Sequence, residues 1–334
     1  MSQDTVVNIN SDIYYRGQYW NDFPPVLEYM SENFTGDKNK WWVQDFLERF
    51  CKTSFEHGLV LNCGNGWVER ELIDKGAVSK VTAFDYSMDL LKKAINERGN
   101  RSIFYFQADV NRVDFRENQF DLIINVASLH HVQYINRICR ILCKSLQKDG
   151  LFVNYDYIGP HRNQYPIKQW RHIKRVNHSL PDSIKKNPLK KPHLPTMLIS
   201  DPSEAIHSEL IIETVSKYFD LLERHDTGGG IAYELLTHNE KLQHLPKNEL
   251  NIQILKILKI DKEFTIQGKV PSLFSYFLAK PNKNLLDDKS LLAKLQSIEN
   301  AREQKSRTKK GVYSFGQYLN LQLHQLSTKL KIRA

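Results

Sequence analysis

The chain has 334 residues, 41% of them hydrophobic, and a formal net charge of +9. That length can bury one large core with an appended element, and no apolar run approaches the length needed to cross a bilayer. The polar start MSQDTVVNINSD does not read as a signal peptide, and four cysteines (Cys51, Cys63, Cys139, Cys143) lack the paired spacing of a zinc site or disulfide framework. A reduced cytoplasmic protein is therefore expected.

Along the chain, an aromatic-rich opening comes first: Tyr14, Tyr15, Tyr19, Trp20, Phe23, Tyr29, Phe34, Trp41 and Trp42. The apolar run Leu59–Leu61 then predicts a buried strand, Cys63-Gly64-Asn65-Gly66 a tight turn, and Val68–Lys75 a helix. A second strand, Val81–Phe84, ends in Asp85. This strand, glycine turn, helix, strand and acid unit suits a nucleoside-containing cofactor. Its glycines allow close backbone approach, and a carboxylate at the second strand tip can accept hydrogen bonds from both ribose hydroxyls. An ordinary strand–helix turn is the plainer reading of the glycines taken alone.

The unit resembles the first motif of the class I S-adenosylmethionine-dependent methyltransferases, often D-x-G-C-G-x-G. Here Val60 stands at the acidic position and Asn62 at the first glycine, while Cys63, Gly64 and Gly66 match. Asn tolerates a left-handed backbone, so the turn survives. The resemblance continues in order. Phe104–Phe106 predicts a third strand leading to Ala108-Asp109-Val110, where Asp109 matches the residue that contacts the adenine amine. Phe120–Asn125 predicts a fourth strand running into Ser128-Leu129-His130-His131, a turn the family places beside the transferred methyl. Ile138–Leu146 predicts a helix and Lys148–Val153 the turn into a fifth strand. The implied fold is α/β, a Rossmann-like, doubly wound, mostly parallel seven-stranded sheet. The implied cofactor is S-adenosyl-L-methionine, contacted by Asn62, Cys63, Gly64, Asn65, Gly66, Asp85, Tyr86, Asp109, Val110 and Asn125. Tyr15 and Trp20 are added from an N-terminal helical lid over residues 1–54, with core packing as their simpler role.

The segment Asn154-Tyr155-Asp156-Tyr157-Ile158-Gly159-Pro160-His161-Arg162-Asn163-Gln164-Tyr165 resembles a bacterial subgroup of that family associated with polysaccharide or natural-product biosynthesis. His161, Arg162 and Tyr165 become the substrate-binding candidates. Asp201–Ala205 is expected to open a helix, with Glu204 and His207 serving its start. Phe219–His225 and Phe274–Pro281 are expected to be the last strands. The methyltransferase domain is assigned to residues 55–281.

Charge concentrates between Lys168 and His193, where Lys168, Arg171, Lys174, Arg175, Lys185, Lys186, Lys190 and Lys191 face a single acid, Asp182. Lying in an insertion at 163–200, these residues form either a positive cover that attracts a phosphate- or carboxylate-bearing acceptor or a solvated, flexible segment. Nucleic acid is not the expected partner, because no RNA-binding module is present and Asn125-Val126-Ala127-Ser128 lacks the Pro-Pro-aromatic signature of adenine amino methylation. In a helical tail, 282–334, Leu291, Leu292, Leu295 and Ile298 predict an amphipathic helix. A basic hinge follows over 302–310, then a stripe at Leu319, Leu323, Leu326 and Leu330. The stripe could dock on its own domain, pair with another subunit as a homodimer, or lie on an anionic membrane surface.

The chemistry implied is in-line attack by an acceptor oxygen on a methyl group. His130 and His131 are the candidate bases, and Asp156 either orients one or acts itself; alternatively the histidines only hold their loop. No cluster in the sequence argues for metal. The leading expectation is O-methylation of a small or glycan-linked acceptor, possibly an acidic one. A nucleic-acid or protein methyltransferase and a non-catalytic scaffold are the alternatives.

Overall fold

A computed structural model describes residues 19–50 and 54–307 of the chain. Tyr15 and the Leu319–Leu330 stripe lie outside the described residues. Two helices, α1 (Pro24–Thr35) and α2 (Trp42–Phe50), precede the sheet. There follow β1 (Phe55–Leu61), α3 (Trp67–Asp74), β2 (Val78–Asp85), α4 (Met88–Glu97), β3 (Ile103–Gln107), β4 (Phe120–Val126), α5 (Ile135–Ser145) and β5 (Leu146–Tyr157). The chain continues with α6 (Ile167–Ser179), α7 (Leu194–Ser200), α8 (Ile211–Tyr218), β6 (Phe219–Asp226), α9 (Ala232–Leu236), α10 (Lys247–Ile266), β7 (Phe274–Pro281) and α11 (Lys289–Arg307).

The seven strands form one sheet in the order β3-β2-β1-β4-β5-β7-β6. The first five are parallel, and β7 runs antiparallel between β5 and β6. This is the α/β, Rossmann-like sheet expected from the strand–helix repeats. Strand order reverses between β1 and β4, so the ligand crevice of such a sheet lies beyond their carboxyl ends. Neighbouring residues Leu61 and Asn125 are paired there.

Both faces of the central strands are covered, which is why they read as unbroken apolar runs. Leu59 and Leu61 point to one face, with Phe84, Ile123, Phe152, Ile138 and Leu142. Val60, between them, points to the other, with Ala83, Ile124, Val153, Leu72 and Leu91. The position that resembles an acidic motif residue is thus packed in the core.

The described N-terminal helices lie across the second face, where Phe34 meets Tyr155 and Tyr276 and Trp42 meets Tyr276. Trp20 is 1% exposed and stacks on Phe274. The ring expected over the cofactor is a core residue. The 163–200 segment is ordered: Trp170, Ile173 and Val176 of α6 are buried, while Lys168, Arg171, Lys174 and Arg175 remain exposed on its outer side. Cys63, Cys139 and Cys143 are free and buried. Instead of breaking at a hinge near Arg302, α11 continues to Arg307. No helix among the described residues is long and apolar enough to cross a membrane.

Candidate active site

The glycine turn after β1 depends on three left-handed residues: Asn62 at φ 43°, Gly64 at φ 57° and Gly66 at φ 80°. Asn62 therefore replaces a glycine without loss of the turn, as expected of Asn. Gly66 is obligatory for a second reason, since a Cβ there would fall 2.5 Å from the Tyr105 hydroxyl. Asp85 caps the loop. Its Oδ2 accepts from the Gly64 amide at 2.9 Å, and its Oδ1 accepts from Ser87 at 2.7 Å. Burial raises the pKa of this carboxyl, and the backbone donors pull against that rise. With Tyr86 as a third backbone donor, the carboxyl still has lone-pair capacity for a further hydroxyl donor.

Asp109, one loop further on, uses Oδ1 to accept from the backbone and side chain of Asn111. Tyr86 is exposed beside Asp85, whereas Cys63 and Val110 are buried. Two carboxylates beside a left-handed glycine loop are the donor-seeking set that a ribose and an amine require, so these residues fit a nucleoside cofactor. Asn125, also expected to touch it, is fully buried; its amide donates to Asn154 Oδ1 and Asp156 Oδ2, both at 2.7 Å. It braces the neighbouring loop.

That loop leaves β4 through Ala127, left-handed at φ 52°. The turn aims the Ser128 and Leu129 amides at Asp156 Oδ2, at 3.1 and 2.7 Å. Asp156 Oδ1 accepts from His130 Nδ1 at 2.5 Å and from the Tyr157 amide at 2.7 Å. Asp156 is completely buried at the end of β5. Burial alone would depress the pKa of the His130 ring, but Asp156, then Glu204 and Asp201, outweigh it and push it up to about 9. His131 is lowered by burial and by His130.

Ser203 and Glu204 join this site without any signal in the sequence to place them here. Rather than starting a helix, Asp201–Ala205 forms a turn after α7 that folds onto the histidines. His131 Nδ1 lies 3.1 Å from Ser203 Oγ, and Glu204 Oε2 lies 3.7 Å from His130 Nε2 and 3.9 Å from His131 Nε2. A potential cation-binding cluster therefore exists where the sequence offered none.

Arg162 holds the turn in place. Its amide donates to the Ala205 carbonyl, and its guanidinium donates to the carbonyls of Pro202 and Glu204 and to Glu303. Fully buried, it positions Glu204 and does not face an acceptor. Tyr165 is likewise buried, stacked on Trp170. His161 is tied through Nδ1 to the Ile206 carbonyl and packs against His207. The three substrate-binding candidates thus support the site from behind.

Residues 59–154 match the family described as “Methyltransferase domain”. A malonyl-(acyl-carrier protein) O-methyltransferase of Bacillus cereus is 26% identical over 106 residues, 32% of this chain and 39% of that protein. The mitochondrial arginine-hydroxylase NDUFAF5 of Mus musculus is 31% identical over 105 residues, 31% of this chain and 30% of that one. The chain thus spans well under half the length of these curated relatives. A solved phosphoethanolamine N-methyltransferase 2 of Haemonchus contortus, in complex with S-adenosyl-L-methionine, covers 83% of this chain and 60% of its own at 17% identity and TM-score 0.46. The likeness to a methyltransferase domain thus lies in residues 59–154, the segment that holds the glycine turn, Asp85, Asp109 and the two histidines.

Proposed function

We propose that the protein transfers a methyl group from S-adenosylmethionine to the hydroxyl of a small-molecule or glycan-linked acceptor. The observation that carries this reading is adjacency: the Asp85-capped glycine loop and the Asp156-anchored His130-His131 turn leave neighbouring parallel strands at the sheet's switch point. The methyltransferase domain match over 59–154 supports it.

When bound, the cofactor supplies a methyl already activated by a positive sulfur. Asp85 and Asp109 would hold the nucleoside through its hydroxyls and amine. Alignment for in-line attack is then the main task of the protein. A hydroxyl seated against the two Nε2 atoms and Glu204 would give up its proton to that group as oxygen attacks the methyl. Asp156 keeps the His130 ring oriented throughout. The exposed Lys168, Arg171, Lys174 and Arg175 favour an acceptor carrying phosphate or carboxylate, of the kind a polysaccharide precursor presents.

Calorimetry with S-adenosylmethionine and S-adenosylhomocysteine on the intact chain and on Asp85→Ala tests the reading. Micromolar binding lost on substitution supports it. No binding at millimolar ligand by a folded chain overturns it.

A further inference from the structure

We propose that His130, His131 and Glu204 form a divalent metal site at the acceptor position. The hydrogen bonds around the two rings fix their tautomers. Asp156 can only accept, so His130 carries its hydrogen on Nδ1. Ser203 gives its hydroxyl hydrogen to Asp201 Oδ1 at 2.7 Å, so its oxygen accepts from His131 Nδ1 at 3.1 Å. With a hydrogen on Nδ1 of each ring, the two Nε2 atoms are the ligating positions, and at His130 the ion would displace the proton that the neighbouring carboxylates favour.

The two rings converge with the Glu204 carboxylate, and all three ligand atoms lie within 4.8 Å of one another. At 3.7 and 3.9 Å the Glu204 contacts are too long for direct hydrogen bonds. A tetrahedral ion about 2.0–2.1 Å from each ligand sets them about 3.4 Å apart, just inside the two Glu204 contacts of 3.7 and 3.9 Å. Two imidazole nitrogens and a carboxylate oxygen converging this closely are a donor set that a divalent cation takes. Asp156 and Asp201 stand behind the rings and add negative charge, while Arg162, which holds the Glu204 turn, is paired with Glu303.

The outer shell has the form metal sites use, a carboxylate or hydroxyl fixing each histidine through its other nitrogen. Two imidazoles and one carboxylate suit Zn²⁺, Fe²⁺ or Co²⁺ over Mg²⁺. At least one coordination position would remain for the acceptor, whose hydroxyl the ion would acidify so that its proton passes to water in place of the ligated histidines and Glu204. The acceptor class is then an oxygen ligand able to coordinate, such as a hydroxy acid or a vicinal diol. This deepens the methyltransferase reading, on which the role of the ion rests.

The test titrates Co²⁺ and Zn²⁺ into chelator-treated full chain, following Co²⁺ visible absorption and Zn²⁺ calorimetry, with S-adenosylhomocysteine binding and thermal melting as fold controls. One equivalent of either ion is expected, with the Co²⁺ spectrum abolished in His131→Ala and Glu204→Gln and affinity about tenfold weaker in Ser203→Ala. A folded chain without a Co²⁺ spectrum overturns the proposal, as does a spectrum unchanged in both ligand variants. Stoichiometric metal lost in those variants, without binding of S-adenosylhomocysteine, upholds the site and instead overturns the methyltransferase reading.

Discussion

Arg162 and Glu303, 141 positions apart in the chain, meet at 2.5 Å with both side chains buried. The same guanidinium grips the turn that carries Ser203 and Glu204, so the pair joins α11 to the candidate active site. A second link lies beside it, where Asn136 donates to Glu299 at 2.6 Å through its side chain.

Breaking this pair leaves a charge stranded in the interior. Glu303→Ala should destabilise the fold by about 3–5 kcal/mol in urea unfolding. The double variant Arg162→Met with Glu303→Leu should recover much of that loss. Equal destabilisation by the single and double variants would show that packing, rather than the stranded charge, governs the effect.

Asp156→Asn should separate cofactor binding from turnover. The glycine loop and Asp85 do not contact Asp156, so S-adenosylhomocysteine affinity should stay within about twofold of wild type. Methyl transfer, once an acceptor is in hand, should fall by about 10²–10⁴-fold in kcat, the usual loss when acid–base machinery is misaligned. Calorimetry and single-turnover kinetics on one preparation check both halves.

Gly66→Ala should be costly for a small change. The new methyl would sit in a left-handed residue, 2.5 Å from the Tyr105 hydroxyl and 2.9 Å from Ala94. A loss of about 1–3 kcal/mol in stability is expected, with weaker cofactor binding. Gly76→Ala, also left-handed but with open space around its Cβ, is the matched control.

Two buried groups give stability opposing slopes with pH. Burial raises the Glu69 pKa to about 7, against Tyr105, Cys63 and Arg70. The unfolded chain loses this proton first, so the contribution of Glu69 to stability falls as pH rises from its ordinary carboxylate value to about 7. Burial lowers the His207 pKa to about 4, with His161 and Arg302 adding to the shift. Its contribution therefore falls as pH drops from its ordinary value towards 4. Glu69→Gln should remove the first slope alone, gaining on the order of 3 kcal/mol relative to wild type between pH 4.5 and pH 8. Urea midpoints across that range measure the difference.

The sheet was legible because its strands announce themselves. Phe274–Pro281 was expected as a closing strand from its family resemblance, and the observed strand has those bounds. Asp85 and the glycine turn could be placed because their spacing is local. Arg162 was misread as an acceptor contact, since a charge in a sequence carries no sign of whether it is buried. The same ambiguity made Arg302 and Glu303 read as part of a hinge. Glu204 and Ser203 were missed for a different reason: 72 positions separate Ser203 from His131, with no periodicity to link them. Trp20 shows the limit for aromatic residues, whose packing partner, Phe274, lies far along the chain.

The grip of α11 also imposes an order on assembly. The residues proposed to hold the nucleoside, Asn62 to Gly66, Asp85 and Asp109, all precede the end of β4, within roughly the first half of the polypeptide. The turn bearing Glu204 comes later, and its clamp, Arg162 with Glu303, closes only when a helix near residue 300 has docked. A chain emerging from the ribosome would thus have made every residue of its proposed donor pocket well before the helix that finishes the proposed acceptor seat, and chemistry would be the last property to mature.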